Sequence, residues 1–194
     1  MSQDSYADKT AVKDAFGSYQ WLAGLAVKPN DLLGFANSRP DIFGDELELF
    51  MKRAAKHFGN MVCVGEDISD PENRITLSEA KDKFGLPIAK AVHNLSTESK
   101  LMLESAVAEG KAVLTAAGAT ETWSAAPFGM HHVGGTVMGT KPENSVTDSF
   151  GRCHEFDNLI VVGPGVFPTS GAVNPTFTIH ALALRSVEEL LKAS

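Results

Sequence analysis

The sequence predicts an α+β fold: an antiparallel sheet with a long helix, then a C-terminal strand and helix. Three observations lead there. The runs NMVCVGEDI (60–68) and RITLS (74–78) flank the turn-rich stretch SDPEN, a pattern of strands joined by a loop. Between Ser96 and Gly118 apolar residues recur every three or four positions, as on a helix. Finally NLIVVG (158–163), a short apolar run ending in glycine, reads as a strand buried on both faces, and it leads through PGVFPTSGAV to the helix NPTFTIHALALRSVEELLKA.

Each element has local reasons. The lead segment, residues 1–58, is mixed: YQWLAGLAVKPNDLLGF is apolar but broken by Gly and Pro, whereas DELELFMKRAAKHF (45–58) has helical spacing through Leu47, Phe50, Met51 and Ala54. In the long helix Ser96 is the expected cap and Gly118 the stop, with Leu103, Val107, Gly110 and Leu114 on the buried stripe. Gly110 weakens a helix by up to about 1 kcal/mol relative to Ala, so its place there points to close packing. The C-terminal helix carries Phe177, Ala181, Leu184 and Val187 on one face.

Composition narrows the function. The 194 residues are 43% hydrophobic and 21% charged, an ordinary balance for one full core or one domain with part of a second. A formal net charge of −7 with scattered Lys and Arg leaves no basic stripe, which argues against nucleic acid and anionic membrane surfaces as partners. The N-terminus MSQDSYADKTAVKD has acids and no apolar core, so it does not read as a secretory signal, and no run of about 18 apolar residues spans a bilayer. Location is then cytoplasmic by default. Cys63 and Cys153 lack metal-ligand spacing, so neither a disulfide framework nor a zinc site is expected.

Two motifs carry the chemistry: HHVGGTVMG (131–139) and the Asn-Pro at 174–175. A reaction that removes a proton from an alcohol while its carbon gives up a hydride needs a base and a donor for the developing alkoxide. Histidine, with an ordinary pKa of about 6.5, suits the first task. An asparagine amide can only donate or accept, so it suits the second. His132 and Asn174 would divide the labour in this way. Pro175 favours a helix start here, whose free N–H groups would face the mouth of the sheet and favour negative charge. The plainer alternatives remain open at this level: Asn174 as a simple N-cap before Pro at the first helical position, and the histidine pair as a structural or exposed turn. No G-x-S-x-G elbow and no G-x-x-x-x-G-K loop occurs, which removes hydrolase and P-loop readings. A metal-dependent hydrolase using His131, His132 and His154 is a further, weaker alternative.

The blocks HHVGGTVMG, SVTD, NLIVVG and VFPTSGAVNPTFTIHALALR, in this order and spacing, resemble the C-terminal signature of the glucose-methanol-choline (GMC) family of flavoprotein oxidoreductases. Upstream, DPENRITLS and the helix ending LTAAGA are similar to the substrate domain of its bacterial sugar and alcohol dehydrogenases, so the likeness covers roughly residues 60–190. The resemblance implies FAD as cofactor and an alcohol or sugar as substrate. It puts the catalytic base four residues before Thr136, on His132, and its partner on Asn174, with Gly163, Val173, Pro175 and Thr176 lying against the flavin. It divides residues 59–194 into a substrate sheet (about 59–130) and a flavin-facing segment (about 131–194). Two departures stand out: Gly163, Pro164 and Gly165 where many relatives have Asp and a small Ala-Ser pair, and Val137 where many have Arg.

The family's dinucleotide-binding turn, G-x-G-x-x-G, occurs nowhere in the chain. The expectation is therefore the C-terminal part of such an enzyme, a fragment or one chain of a split enzyme, whose Rossmann N-terminal part comes from a partner chain or domain. The competing expectation is a non-catalytic remnant that binds a sugar or a protein partner.

Overall fold

The computed structural model describes residues 12–24 and 27–192; residues 1–11, most of the N-terminal stretch that does not read as a secretory signal, lie outside them. Within the described residues the elements run β1 (Tyr19–Ala23), α1 (Pro29–Ala36), α2 (Asp45–Ala54), β2 (Met61–Gly65), β3 (Arg74–Lys81), β4 (Pro87–Val92), α3 (Thr97–Ala116) and α4 (Thr176–Lys192). The fold is thus mixed helix and strand, with two small antiparallel pairs, β1 with β2 and β3 with β4.

The expected strands at 60–68 and 74–78 both form, but the turn between them does not pair them. β2 reaches back to the lead segment, where Tyr19 lies opposite Gly65 and Trp21 opposite Cys63. Tyr-Gln-Trp-Leu suits a pleated, half-buried surface, and its pairing across many residues is invisible to local pattern. β3 instead folds onto β4, with Ile75 opposite Ala91 and Leu77 opposite Ala89.

Helix α3 begins and ends as its sequence dictates. The Ser96 hydroxyl accepts from the Ser99 N–H at 3.0 Å, and Gly118 takes φ +96° just past the last turn. Its buried stripe is Ser99, Met102, Ala106 and Gly110. Of the expected stripe only Gly110 belongs; Leu103, Val107 and Leu114 are half-buried. The stripe is rotated because α3 packs on β1 through Tyr19, which meets Met102 and Ala106, and through Trp21. A methyl on Gly110 would lie 2.5 Å from the Trp21 ring. The glycine therefore marks a close approach of helix and sheet, and the Tyr19 hydroxyl donates to Glu109 at 2.7 Å beside it.

A second core joins Leu32 and Ala36 of α1 to Phe50 and Ala54 of α2, with Trp123 packed against them. Arg39 fastens it. Its guanidinium donates to Asp41 at 2.7 and 2.6 Å and to Glu121 at 2.6 Å, while stacking 5.2 Å from the centre of the Trp123 ring. The hydrogen bond from Arg39 holds the Asp41 carboxyl below the usual carboxylate range. Trp123 in turn donates to the Ser38 hydroxyl at 2.8 Å. The lead segment is thereby tied to the stretch that runs on into His131 and His132.

One expectation fails for a physical reason. NLIVVG is not a strand buried on both faces: it makes an isolated bridge from Ile160 to Arg152, and Leu159 and Val162 are exposed. An apolar run becomes a central strand only when neighbours supply rungs on both edges. The α4 face of Phe177, Ala181, Leu184 and Val187 lies open, with Phe177 90% exposed, and Ser186 is the buried residue of that helix. Among the described residues no helix is long and apolar enough to cross a membrane.

Candidate active site

The two motifs meet through backbone. Along one side of the glycine turn, the N–H groups of Gly134, Thr136 and Met138 donate to the carbonyls of Pro164, Gly165 and Val166 at 3.3, 2.8 and 2.9 Å. Along the other side, Val146 N–H donates to Val137 C=O at 2.8 Å and Gly139 N–H to Thr147 C=O at 2.8 Å. The next strip follows, with Asp148 N–H on Arg152 C=O and Cys153 N–H on Leu159 C=O. Short extended pieces thus stack into an irregular ladder whose centre is the Gly-Thr turn.

Glycine makes this ladder possible at three places. Gly134 and Gly163 have φ +83° and +112°, values that favour residues without a Cβ. At Gly165 the need is one of space: a methyl would lie 2.7 Å from the Thr136 hydroxyl oxygen. Thr136 thereby keys the first motif into the second. Sequence reasoning missed this pairing, although a glycine two places after Gly163 was its signal.

The expected site residues sit at the rim of the ladder. His132 and Asn174 are exposed, and neither side chain has a hydrogen-bond partner among the described residues. No hydrogen bond joins them to each other. The His132 ring folds back over Gly129, where a methyl would lie 2.8 Å from Nε2. Gly163 is half-buried with nothing within 4 Å of where a side chain would go. Val173 is 38% exposed, Pro175 half-buried and Thr176 exposed.

The helix start differs by one residue from expectation. The first α4 bond runs from Ile179 N–H to Pro175 C=O at 2.9 Å, so Pro175 occupies the cap position and Asn174 lies outside the helix. The simple N-cap reading of Asn174 is therefore not what forms, and its amide is left without a local task. Ahead of Ile179, the N–H groups of Thr176, Phe177 and Thr178 form the positive end of α4.

The other histidines have separate settings. His131 is half-buried, His154 bonds the Ser145 hydroxyl at 3.0 Å, and His93 pairs with Asp67 at 2.7 Å. Among the described residues no group of three or more His, Cys, Asp or Glu could hold a metal ion, so His131, His132 and His154 do not assemble the ligand set of a metal hydrolase. A surface concavity lies elsewhere, between α2 and Glu121, lined by Arg39, Phe50, Arg53 and His57 among others.

The chain belongs to the GMC oxidoreductase family, whose C-terminal model matches residues 69–183. It is 37% identical over 139 residues to 2-methyl-1,2-propanediol dehydrogenase of Mycolicibacterium austroafricanum, covering 68% of this chain and 25% of that protein. It is 29% identical over 153 residues to the fructose dehydrogenase large subunit of Gluconobacter japonicus, covering 77% and 28%. Over 61 residues it is 43% identical to pyranose 2-oxidase of Tricholoma matsutake, covering 31% and 11%. The chain spans about a quarter of the length of the first two relatives.

Proposed function

We propose that this chain is the C-terminal catalytic portion of an FAD-dependent oxidoreductase that oxidises the CH–OH group of an alcohol or sugar. The observation that carries the reading is the backbone ladder of 134–138 on 164–166, with a histidine and an asparagine at its rim whose side chains are committed to nothing else. The relatives are named for a diol, fructose and pyranose, each a hydroxylated small molecule.

The residues present fit a flat, partly apolar ring. Gly163 offers bare backbone with open space above it, and Val173, Pro175 and Thr176 extend that surface towards α4. FAD, when bound there, supplies the hydride acceptor. His132 takes the hydroxyl proton, and the Asn174 amide donates to the same oxygen as it gains charge. The leading N–H groups of α4 add positive potential where that charge grows.

The pyrophosphate grip comes from a separate chain or domain, because no G-x-G-x-x-G turn occurs in these 194 residues. The exposed apolar face of α4 supports such a partner. Co-expression with a G-x-G-x-x-G chain, sought immediately upstream of this one, tests the reading. The expected result is a yellow complex bleached anaerobically by D-fructose or 2-methyl-1,2-propanediol. A colourless chain, or a flavin that no alcohol bleaches, would leave instead a remnant that binds a sugar or a protein without redox chemistry.

A further inference from the structure

We propose that Ser69 is a positioning residue for Asn174, holding in place the loop that presents the Asn174 amide to the substrate oxygen; this deepens the function proposed above and rests on it. Residues 168–174 (PTSGAVN) run without regular structure from the ladder to the start of α4. Before them Val166 C=O accepts from Met138, and after them Ile179 N–H donates to Pro175 C=O. Within the loop the Ser170 hydroxyl turns to its neighbour, Gly171 C=O, at 3.2 Å. The Ser69 hydroxyl donates to Pro168 C=O at 3.1 Å. Among the described residues this is the one hydrogen bond between residues 168–174 and the rest of the chain. Ala172, fully buried, is the loop's apolar foothold. Apolar contact is non-directional, whereas a hydrogen bond fixes distance and angle.

Ser69 stands on a rigid base. Its neighbour Ile68 donates its N–H to the Ser99 hydroxyl at 3.1 Å, and that hydroxyl donates to Asp67 at 2.9 Å. Ser99 is fully buried in the first turn of α3. The Ser96 cap bonds its N–H at 3.0 Å and its hydroxyl at 2.9 Å. The other Asp67 oxygen pairs with His93 at 2.7 Å. Residues 67 and 68 are thus fastened through backbone and side chain to the start of α3, and Ser69 carries that anchorage across to the loop.

Pro168 suits the receiving end. Proline has no N–H, so its carbonyl is its one backbone polar group. It also favours an extended residue before it, and Phe167 has φ −71° and ψ 126°. The chain therefore leaves the ladder in a set direction, is caught at Pro168 and runs on to Asn174, whose own amide has no partner among the described residues. Ser69 is exposed, so removing its hydroxyl should cost the fold little. Misplacing a group that meets the reacting oxygen by about 1 Å costs on the order of 10²-fold in rate. The loss should therefore fall on the reaction rather than on stability or on substrate binding.

The test has two arms. In the full chain alone, amide nitrogen relaxation should show Ser170 to Val173 more mobile in Ser69→Ala than in the wild type, with Met102 and Ala106 of α3 unchanged and Tm little altered. In the complex with the proposed FAD-binding chain, Ser69→Ala should slow flavin reduction by D-fructose or 2-methyl-1,2-propanediol about tenfold or more, with KM little changed. Ser69→Thr, which keeps the hydroxyl, should restore most of the rate. Added to Asn174→Ala, Ser69→Ala should slow the reaction no further, because the serine acts through the asparagine. The proposal is overturned if the loop of Ser69→Ala is no more mobile, if its flavin is reduced at the wild-type rate, if KM rises while the limiting rate holds, or if the full slowing persists beside Asn174→Ala. A wild-type complex that no alcohol bleaches counts against the redox reading, and the relaxation arm then decides by itself whether Ser69 holds the loop.

Discussion

At the level of single residues, the position of the His132 ring depends on what Gly129 lacks. A methyl 2.8 Å from Nε2 has to displace the imidazole, and displacing a reacting group by about 1 Å costs on the order of 10²-fold in rate. Gly129→Ala should therefore slow flavin reduction about tenfold or more with little change in Tm, because the group pushed aside is the far end of an exposed side chain. A matching fall in Tm would show that Gly129 serves the fold. Cys63 gives a pH-dependent prediction. Burial, and then the charge of Glu109, pushes its thiol up from 9.0 to about 11. A folded-state pKa above the unfolded one gives stability that is present below pH 9 and is lost as pH rises towards 11. Urea midpoints of the wild type should fall across that window, and Cys63→Ala should flatten the fall. An unchanged slope would remove Cys63 as its cause. Neither effect is legible in sequence: the first depends on how residues 129–132 fold back on themselves, the second on the packing of β2 near distant Glu109.

At the level of elements, α3 was legible at both ends because its cap and stop are local: Ser96 bonds Ser99, and Gly118 takes the left-handed turn. Its buried face was legible only at Gly110, since the rotation of a helix on a sheet is set by side chains elsewhere, here Tyr19 and Trp21. Gly110→Ala should gain up to about 1 kcal/mol of helix propensity. It should lose about 1–3 kcal/mol by overpacking against the Trp21 ring. We therefore expect net destabilisation, read as a lower urea midpoint; a more stable variant would mean that Trp21 moves aside freely. β1, β4 and the fate of NLIVVG were not legible for a related reason. Strands are defined by partners, and a short apolar run carries no record of which partner it finds. The glycine-rich motifs were legible as motifs, whereas the Thr136 to Gly165 contact that joins them was not, because it links residues that pattern reading treats separately.

For the whole molecule, two modest cores coexist with apolar surface that nothing in the described residues covers. The β3–β4 ribbon exposes Ile75, Leu77, Phe84 and Leu86, and α4 exposes Phe177, Leu184 and Leu191. A two-stranded ribbon alone is marginally stable in water. If the proposed FAD-binding chain or domain covers these faces, hydrogen exchange should slow in β3, β4 and α4 when it is added, and unchanged exchange there would place the contact elsewhere. The proposed division of labour in HHVGGTVMG, with His132 and not His131 as the base, is tested by rapid-mixing measurement of flavin bleaching in the complex with the proposed FAD-binding chain. His132→Ala should slow bleaching by D-fructose or 2-methyl-1,2-propanediol about 10²-fold or more, while His131→Ala leaves it within a few-fold of the wild type. Slowing by His131→Ala with none from His132→Ala would contradict it.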